Sequence, residues 1–263
     1  MSTKASEAKK SSEGGAWEIV RVVIQALLIA FVVRTFFFQP FNIPSGSMIP
    51  TLLIGDYLFV SKLSYGYSQY TFSFSIGSGE SRLFRIKPFP FSGRIFADNP
   101  ERGDVAVFKL PSDNETDYIK RVIGLPGDRI QMVDGLLHIN GKPVKRKKAG
   151  SFLDTTRGGL PSRVQIYDET LPNGVTHQTY DQGDNYFDNT RVYRVPADHY
   201  FMMGDNRDNS TDSRFSAVGY VPFENFVGRA EIIFYSQEEG SAFWQFWKWP
   251  TSVRWSRLFN FVD

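Results

Sequence analysis

The segment Pro44-Ser45-Gly46-Ser47-Met48-Ile49-Pro50-Thr51-Leu52 offers a serine on a backbone that other atoms can approach. Attack on an amide carbon needs a nucleophile, a proton acceptor and donors for the developing oxyanion. Ser47 is the candidate nucleophile. Gly46 removes a side chain where a substrate backbone must come close, and Pro44 and Pro50 stiffen the segment. Taken alone, a Ser-Gly pair reads as a turn as readily as a nucleophile. Histidine is the usual proton acceptor. The three histidines, His138, His177 and His199, lie in no recognisable triad pattern and read as surface or packed residues. Lys120 is the stronger candidate, in the β-rich apolar run Asp117-Tyr118-Ile119-Lys120-Arg121-Val122-Ile123-Gly124. Most strand lysines point to water, and a lysine accepts a proton only when neutral. Burial can bring its pKa from about 10.4 down to about 5–6. The chain has no Cys, which excludes a thiolate nucleophile, a disulfide framework and a Cys-ligated metal.

These residues must be positioned by a chain of 263 residues, long enough for one or two domains with a sizeable core. A net charge of +2 points to no polyanion, so no nucleic-acid partner is expected. Residues 1–15, rich in Ser, Lys, Glu and Gly, read as a disordered cytoplasmic tail. Residues 16–38 read as a membrane anchor. Within it Val22 to Val33 carries one polar residue, Gln25, while Arg21 and Arg34 can snorkel and Trp17 and Phe36-Phe37-Phe38 suit the two interfaces. A cleaved secretory signal needs small residues after the apolar run, and here Thr35-Phe36-Phe37-Phe38-Gln39-Pro40-Phe41 follows. A buried soluble helix is the other competing reading. Lys4, Lys9, Lys10 and Arg21 precede the anchor, and little that is basic besides Arg34 and Lys62 follows closely. The positive-inside rule then places the N-terminus in the cytoplasm and the rest across the membrane, in a single pass.

Beyond Pro40 the pattern is short strand-like runs divided by Gly and Pro, so the fold class is mostly β and antiparallel. Asp134-Gly135 and Asn140-Gly141 between apolar runs predict two tight hairpins. Residues 63–100 read as a long loop or extended hairpin. Residues 39–129 and 199–240 are expected to form one β domain, with 130–198 inserted as a smaller β cap. Residues 241–263 concentrate Phe243, Trp244, Phe246, Trp247, Trp249, Trp255 and Phe259 among Lys248, Arg254 and Arg257, a composition suited to the lipid headgroup layer. An aromatic core helix or a dimer contact is the plainer reading of the same segment.

Two further segments complete the pattern: Arg102-Gly103-Asp104-Val105-Ala106-Val107-Phe108 and Gly204-Asp205-Asn206-Arg207-Asp208-Asn209-Ser210-Thr211-Asp212-Ser213-Arg214. In content and order, the four segments resemble those of bacterial type I signal peptidases (leader peptidases), over most of residues 36–130 and 200–235. The resemblance implies a membrane-bound serine endopeptidase that removes N-terminal signal peptides from exported preproteins, after Ala-X-Ala, at the outer (periplasmic) face of the cytoplasmic membrane. It implies Ser47 as nucleophile and Lys120 as general base. It implies an oxyanion site from the Ser47 N–H and the Ser45 hydroxyl, Ser210 as the group that orients Lys120 by a hydrogen bond, and a structural ion pair Asp212–Arg214. Phe41, Ile43, Met48, Leu52, Val107 and Ile119 match positions that wall the shallow pockets for substrate residues −1 and −3. Membrane lipid is an expected partner; no cofactor and no metal are expected. A calcium loop starting at Asp205 fails on its own terms, since Arg207, Ser210 and Ser216 stand where Asp/Asn, Gly and Glu are wanted. Two rivals remain: a self-cleaving Ser/Lys repressor-type protease, which the anchor opposes, and a noncatalytic membrane-tethered β module.

Overall fold

The computed structural model of the protein describes residues 3–71, 74–76, 84–86, 91–154, 162–238, 240 and 245–262. Helix α1 (Thr3–Phe36) contains a 20-residue stretch, Trp17–Phe36, with a mean hydropathy of 2.1 and none of it buried. Twenty residues at 1.5 Å each reach about 30 Å, the thickness of a bilayer's hydrocarbon core. The helix also runs back to Thr3, where the sequence predicted a disordered tail over 1–15. Ala5, Glu7, Ala8, Lys9 and Lys10 are good helix formers, and extending an existing helix needs no new nucleus.

Most of the remaining regular structure is antiparallel strand. In chain order these are β1 (Phe38–Asn42), β2 (Asp56–Ser61), β3 (Phe74–Ile76), β4 (Phe84–Ile86), β5 (Val105–Lys109) and β6 (Asp117–Gly124). Then come β7 (Arg129–Val133), β8 (Leu136–Ile139), β9 (Lys142–Pro143), β10 (Lys145–Asp154), β11 (Ser162–Thr170) and β12 (Thr176–Asp181). The last are β13 (Tyr193–Arg194), β14 (His199–Met203), β15 (Val221–Pro222), β16 (Phe226–Ser236) and β17 (Asn260–Phe261), with the one-turn helix α2 (Trp249–Ser252) before β17. The largest sheet has the order β1-β2-β16-β5-β6-β14-β15, and β17 also pairs with β16. Between β6 and β14 the chain makes two further sheets, β13-β7-β8-β9 and β10-β11-β12.

Both predicted hairpins form. Val133 pairs with Leu136 and Ile139 with Lys142, and all four turn residues, Asp134, Gly135, Asn140 and Gly141, have positive φ. The expected hairpin within 63–100 appears as β3 paired with β4. Three apolar clusters hold the strands together. One, built from Ile43, Met48, Leu52, Leu58, Val60, Val105, Val107, Val227, Ala230 and Ile233, lies under the segment that carries Ser47.

The segment predicted as an aromatic membrane-proximal tail is tied into the large sheet. Residues 241–244, with Phe243 and Trp244, lie outside the described residues. From 245 onward the chain folds back on the domain. The Arg254 guanidinium donates to the Ile54 carbonyl at 2.9 Å, and Arg257 donates to the Thr51 carbonyl at 2.9 Å and to the buried Asp56 carboxylate. Phe246, Trp247, Trp255, Phe259 and Phe261 stay exposed on it.

Candidate active site

Ser47 sits in a single 3-10 turn, Gly46–Met48, between β1 and β2. Met48 and Leu52 are fully buried in the apolar cluster below and fix the turn from one side. From the other side the segment that starts at Gly204 clasps it. The Asn206 N–H donates to the Ser47 carbonyl at 3.1 Å, and the Asn206 side-chain amide donates to the Gly46 carbonyl at 3.0 Å. Gly204 is required by this close approach: a Cβ there would stand 2.5 Å from the Ser47 carbonyl oxygen and 2.2 Å from Ser210 Oγ.

Lys120 lies on β6, opposite Ala106 of β5. Its Nζ is 2.7 Å from Ser47 Oγ and 2.9 Å from the Ile119 carbonyl. The residue is 4% exposed. Burial lowers its pKa from 10.5 to about 8, against the opposing pull of the Asp212 and Asp205 carboxylates. Half of the amine is therefore uncharged near pH 8. In that state one N–H serves the Ile119 carbonyl and the lone pair is free to accept the Ser47 hydroxyl proton. Ser45 Oγ is 3.5 Å from Ser47 Oγ, at the outer limit of a hydrogen bond. The first N–H groups of a 3-10 turn have no partner within it, which leaves the Ser47 N–H available as a donor.

Ser210 departs from the expectation. It is buried, and its hydroxyl makes no hydrogen bond to Lys120 among the described residues. It packs over Gly204 and helps to keep the Asp212 carboxylate ionised. The amine is oriented by the Ile119 carbonyl of its own strand instead. The expected ion pair is present: Arg214 Nε donates to Asp212 Oδ1 at 2.9 Å, and both side chains are buried. Burial alone would raise the Asp212 carboxyl; Arg214 outweighs it and holds the group below the usual carboxylate range. Of the six residues expected to wall substrate pockets, Ile43, Met48, Leu52 and Val107 are closed off in one cluster. Phe41 and Ile119 pack against it half-buried.

Three buried ionic groups escaped the sequence reading. Arg121, next to Lys120, is fully buried and grips Asp205 twice, at 2.9 and 2.8 Å, while Thr51 Oγ donates to the same carboxylate at 2.6 Å. Arg207 pairs with Glu169 of β11, a contact from the inserted sheet onto the segment that clasps Ser47. His177 of β12 is buried between them, its Nε2 at 3.5 Å from Glu169 Oε1 and 3.7 Å from Asp205 Oδ1. Burial pushes its imidazole down to about 4, so it is neutral at pH 7. Arg121, Asp205 and Arg207 all lie inside the quoted motifs, so their positions were marked in the sequence and only their pairing was not.

The sequence matches the family described as signal peptidase, peptidase S26, over residues 16–235. Among curated relatives, a signal peptidase I of Rickettsia typhi is 41% identical over 252 residues, covering 89% of each chain. A signal peptidase I of Rickettsia conorii is 43% identical over 217 residues, covering 80% of this chain and 76% of its own. Among solved structures, a signal peptidase I of Enterococcus faecalis V583 is 25% identical with a TM-score of 0.29, covering 50% of this chain and 97% of that one. On the family match and the Rickettsia relatives, the chain belongs to the signal peptidase family, peptidase S26, and is a serine peptidase.

Proposed function

We propose that the protein is a membrane-anchored endopeptidase that cleaves signal peptides from exported preproteins with a Ser47–Lys120 pair. The 2.7 Å contact between a buried lysine amine and a buried serine hydroxyl carries this reading. Neutral Lys120 takes the Ser47 proton as Oγ attacks the scissile carbonyl. The Ser47 N–H and the Ser45 hydroxyl hold the oxyanion, and the Lys120 ammonium then protonates the departing amine. Lys120, neutral again, activates the water that releases the acyl group.

The substrate lies extended along β6. Residues 117–120 pair with β5 on one side, whereas β14 joins the other side only from Arg121 onward. That open edge can accept a strand. On a strand, residues −1 and −3 point to the same face, here toward Phe41 and Ile119 above the closed cluster. The shallow floor favours Ala at both positions by steric rejection of larger side chains. Helix α1 crosses the cytoplasmic membrane with its N-terminus in the cytoplasm, and the exposed Phe246, Trp247 and Trp255 rest on the outer lipid surface. The test is cleavage of a precursor carrying Ala-X-Ala by wild type, Ser47→Ala, Lys120→Ala and Lys120→Arg. Only wild type should cleave, since arginine does not deprotonate in a protein. Processing by Lys120→Ala at the wild-type rate would require a different base.

A further inference from the structure

A second lysine is as deeply buried as Lys120 and takes no part in this chemistry. Lys62 is 3% exposed and follows directly on β2. Its Nζ donates to the Thr35 carbonyl at 3.2 Å and to the Thr71 carbonyl at 2.8 Å. Its backbone N–H donates to the Phe37 carbonyl at 2.9 Å. Five residues on, the Tyr67 hydroxyl donates to the Phe36 carbonyl at 2.6 Å, and the two rings meet edge-on at 6.3 Å. Three consecutive carbonyls at and just beyond the end of α1, those of Thr35, Phe36 and Phe37, are thus taken by the short segment Lys62–Tyr67 that follows β2.

The last carbonyls of a helix have no partner within it, and leaving them unmade is most costly where water is scarce, as at the edge of a bilayer. A cation at that end also suits the helix dipole. Burying an amine is itself unfavourable: burial lowers Lys62 from 10.5 to about 8, with Arg34 and Lys109 adding to the effect and Asp117 opposing it. The clasp leaves no free linker between helix and sheet. β1 begins at Phe38, already paired with Ser61, the residue before Lys62.

We infer that Lys62 and Tyr67 are positioning residues that lock the membrane helix onto the catalytic sheet, fixing the height and tilt at which Ser47 meets a cleavage site emerging from the bilayer. This rests on the reading of the chain as a membrane-anchored signal peptidase. The lock matters for a preprotein embedded in the same bilayer and not for a short peptide free in water.

The experiment uses the full chain in liposomes of phosphatidylethanolamine and phosphatidylglycerol, with Lys62→Met, Tyr67→Phe, the double variant and Lys62→Arg. Each is given a water-soluble Ala-X-Ala peptide and a co-reconstituted preprotein. Peptide cleavage should stay within about twofold of wild type, while preprotein cleavage by the double variant falls about ten- to a hundredfold, mainly in kcat, as expected for misplaced reacting groups. Lys62→Arg, which keeps the donor, should recover part of the loss. The chain lacks Cys, so spin labels at Val20→Cys on α1 and Ser112→Cys in the exposed turn between β5 and β6 report the distance between helix and sheet. A narrow distance distribution should broaden in the double variant. An equal fall on both substrates, no fall on either, or an unchanged distribution would overturn the proposal. Failure of wild type on both substrates would instead overturn the proposed function.

Discussion

Lys120 and Lys62 are two buried lysines with the same lowered pKa, about 8, and opposite surroundings. Burial is the leading cause in both. Lys120 faces a hydroxyl, which can donate as well as accept, and one carbonyl. Lys62 faces two carbonyls, which only accept. A neutral amine has two N–H groups and one lone pair. At Lys62 both N–H groups are used, and the two carbonyls offer no proton to the lone pair. At Lys120 the lone pair points to a removable proton. Desolvation therefore prepares an amine for base catalysis, and the partner decides whether any catalysis follows.

The sharpest break between the two sites is expected on a soluble peptide. Lys120→Met should lower kcat/KM by about 10²–10⁴, the usual worth of general-base assistance, while Lys62→Met leaves it near wild type. Comparable losses in both would erase the distinction. Ser45→Ala comes next. Loss of one oxyanion donor typically costs about 10²–10³ in kcat, and an unchanged kcat would remove Ser45 from that role.

Stability should then separate the sites by pH. The folded protein binds fewer protons than the unfolded chain between the lowered pKa of about 8 and the ordinary 10.5. Wild-type stability therefore rises with pH through that window, and below pH 8 the folded state bears the whole cost of a buried ammonium. Lys120→Met removes it and should stabilise the protein at pH 7 by up to about 3 kcal/mol, at 1.36 kcal/mol per pKa unit. The gain should fade as pH approaches 10.5 in thermal melts. Lys62→Met should gain less, because it strands the Thr35 and Thr71 carbonyls. The smallest effect is a shift in the pH–rate profile. Asp212→Asn removes the leading carboxylate that supports the Lys120 ammonium, so the acid limb of kcat/KM should move to lower pH. The variant will also be less stable, with Arg214 left buried and unpaired.

Much of this was legible in the sequence because motifs and turn chemistry are local. The Asp-Gly and Asn-Gly turns gave β7–β9 directly, and the four motifs supplied Ser47, Lys120 and the Asp212–Arg214 pair. What stayed hidden depends on which residues meet across long separations. Nothing around Lys62 distinguishes it from a surface strand lysine until α1 is seen to end against it. His177 and Glu169 lie in a polar stretch that reads as a small β cap, and only the packing of β11 and β12 on Arg207 and Asp205 buries them. Ser210 lies beside the site as the motif placed it, close against Gly204, but makes no hydrogen bond to Lys120 among the described residues, and side-chain direction is not written in a motif.

The strap formed by Arg254 and Arg257 has a consequence for biogenesis. It grips the loop after Ser47 from 200 residues further along the chain. During synthesis the nucleophile is made long before the arginines that brace its loop. A partly made chain thus carries an unbraced site, and its hydrolytic power arrives late, once the segment with Arg254 and Arg257 has been added and has closed on the domain.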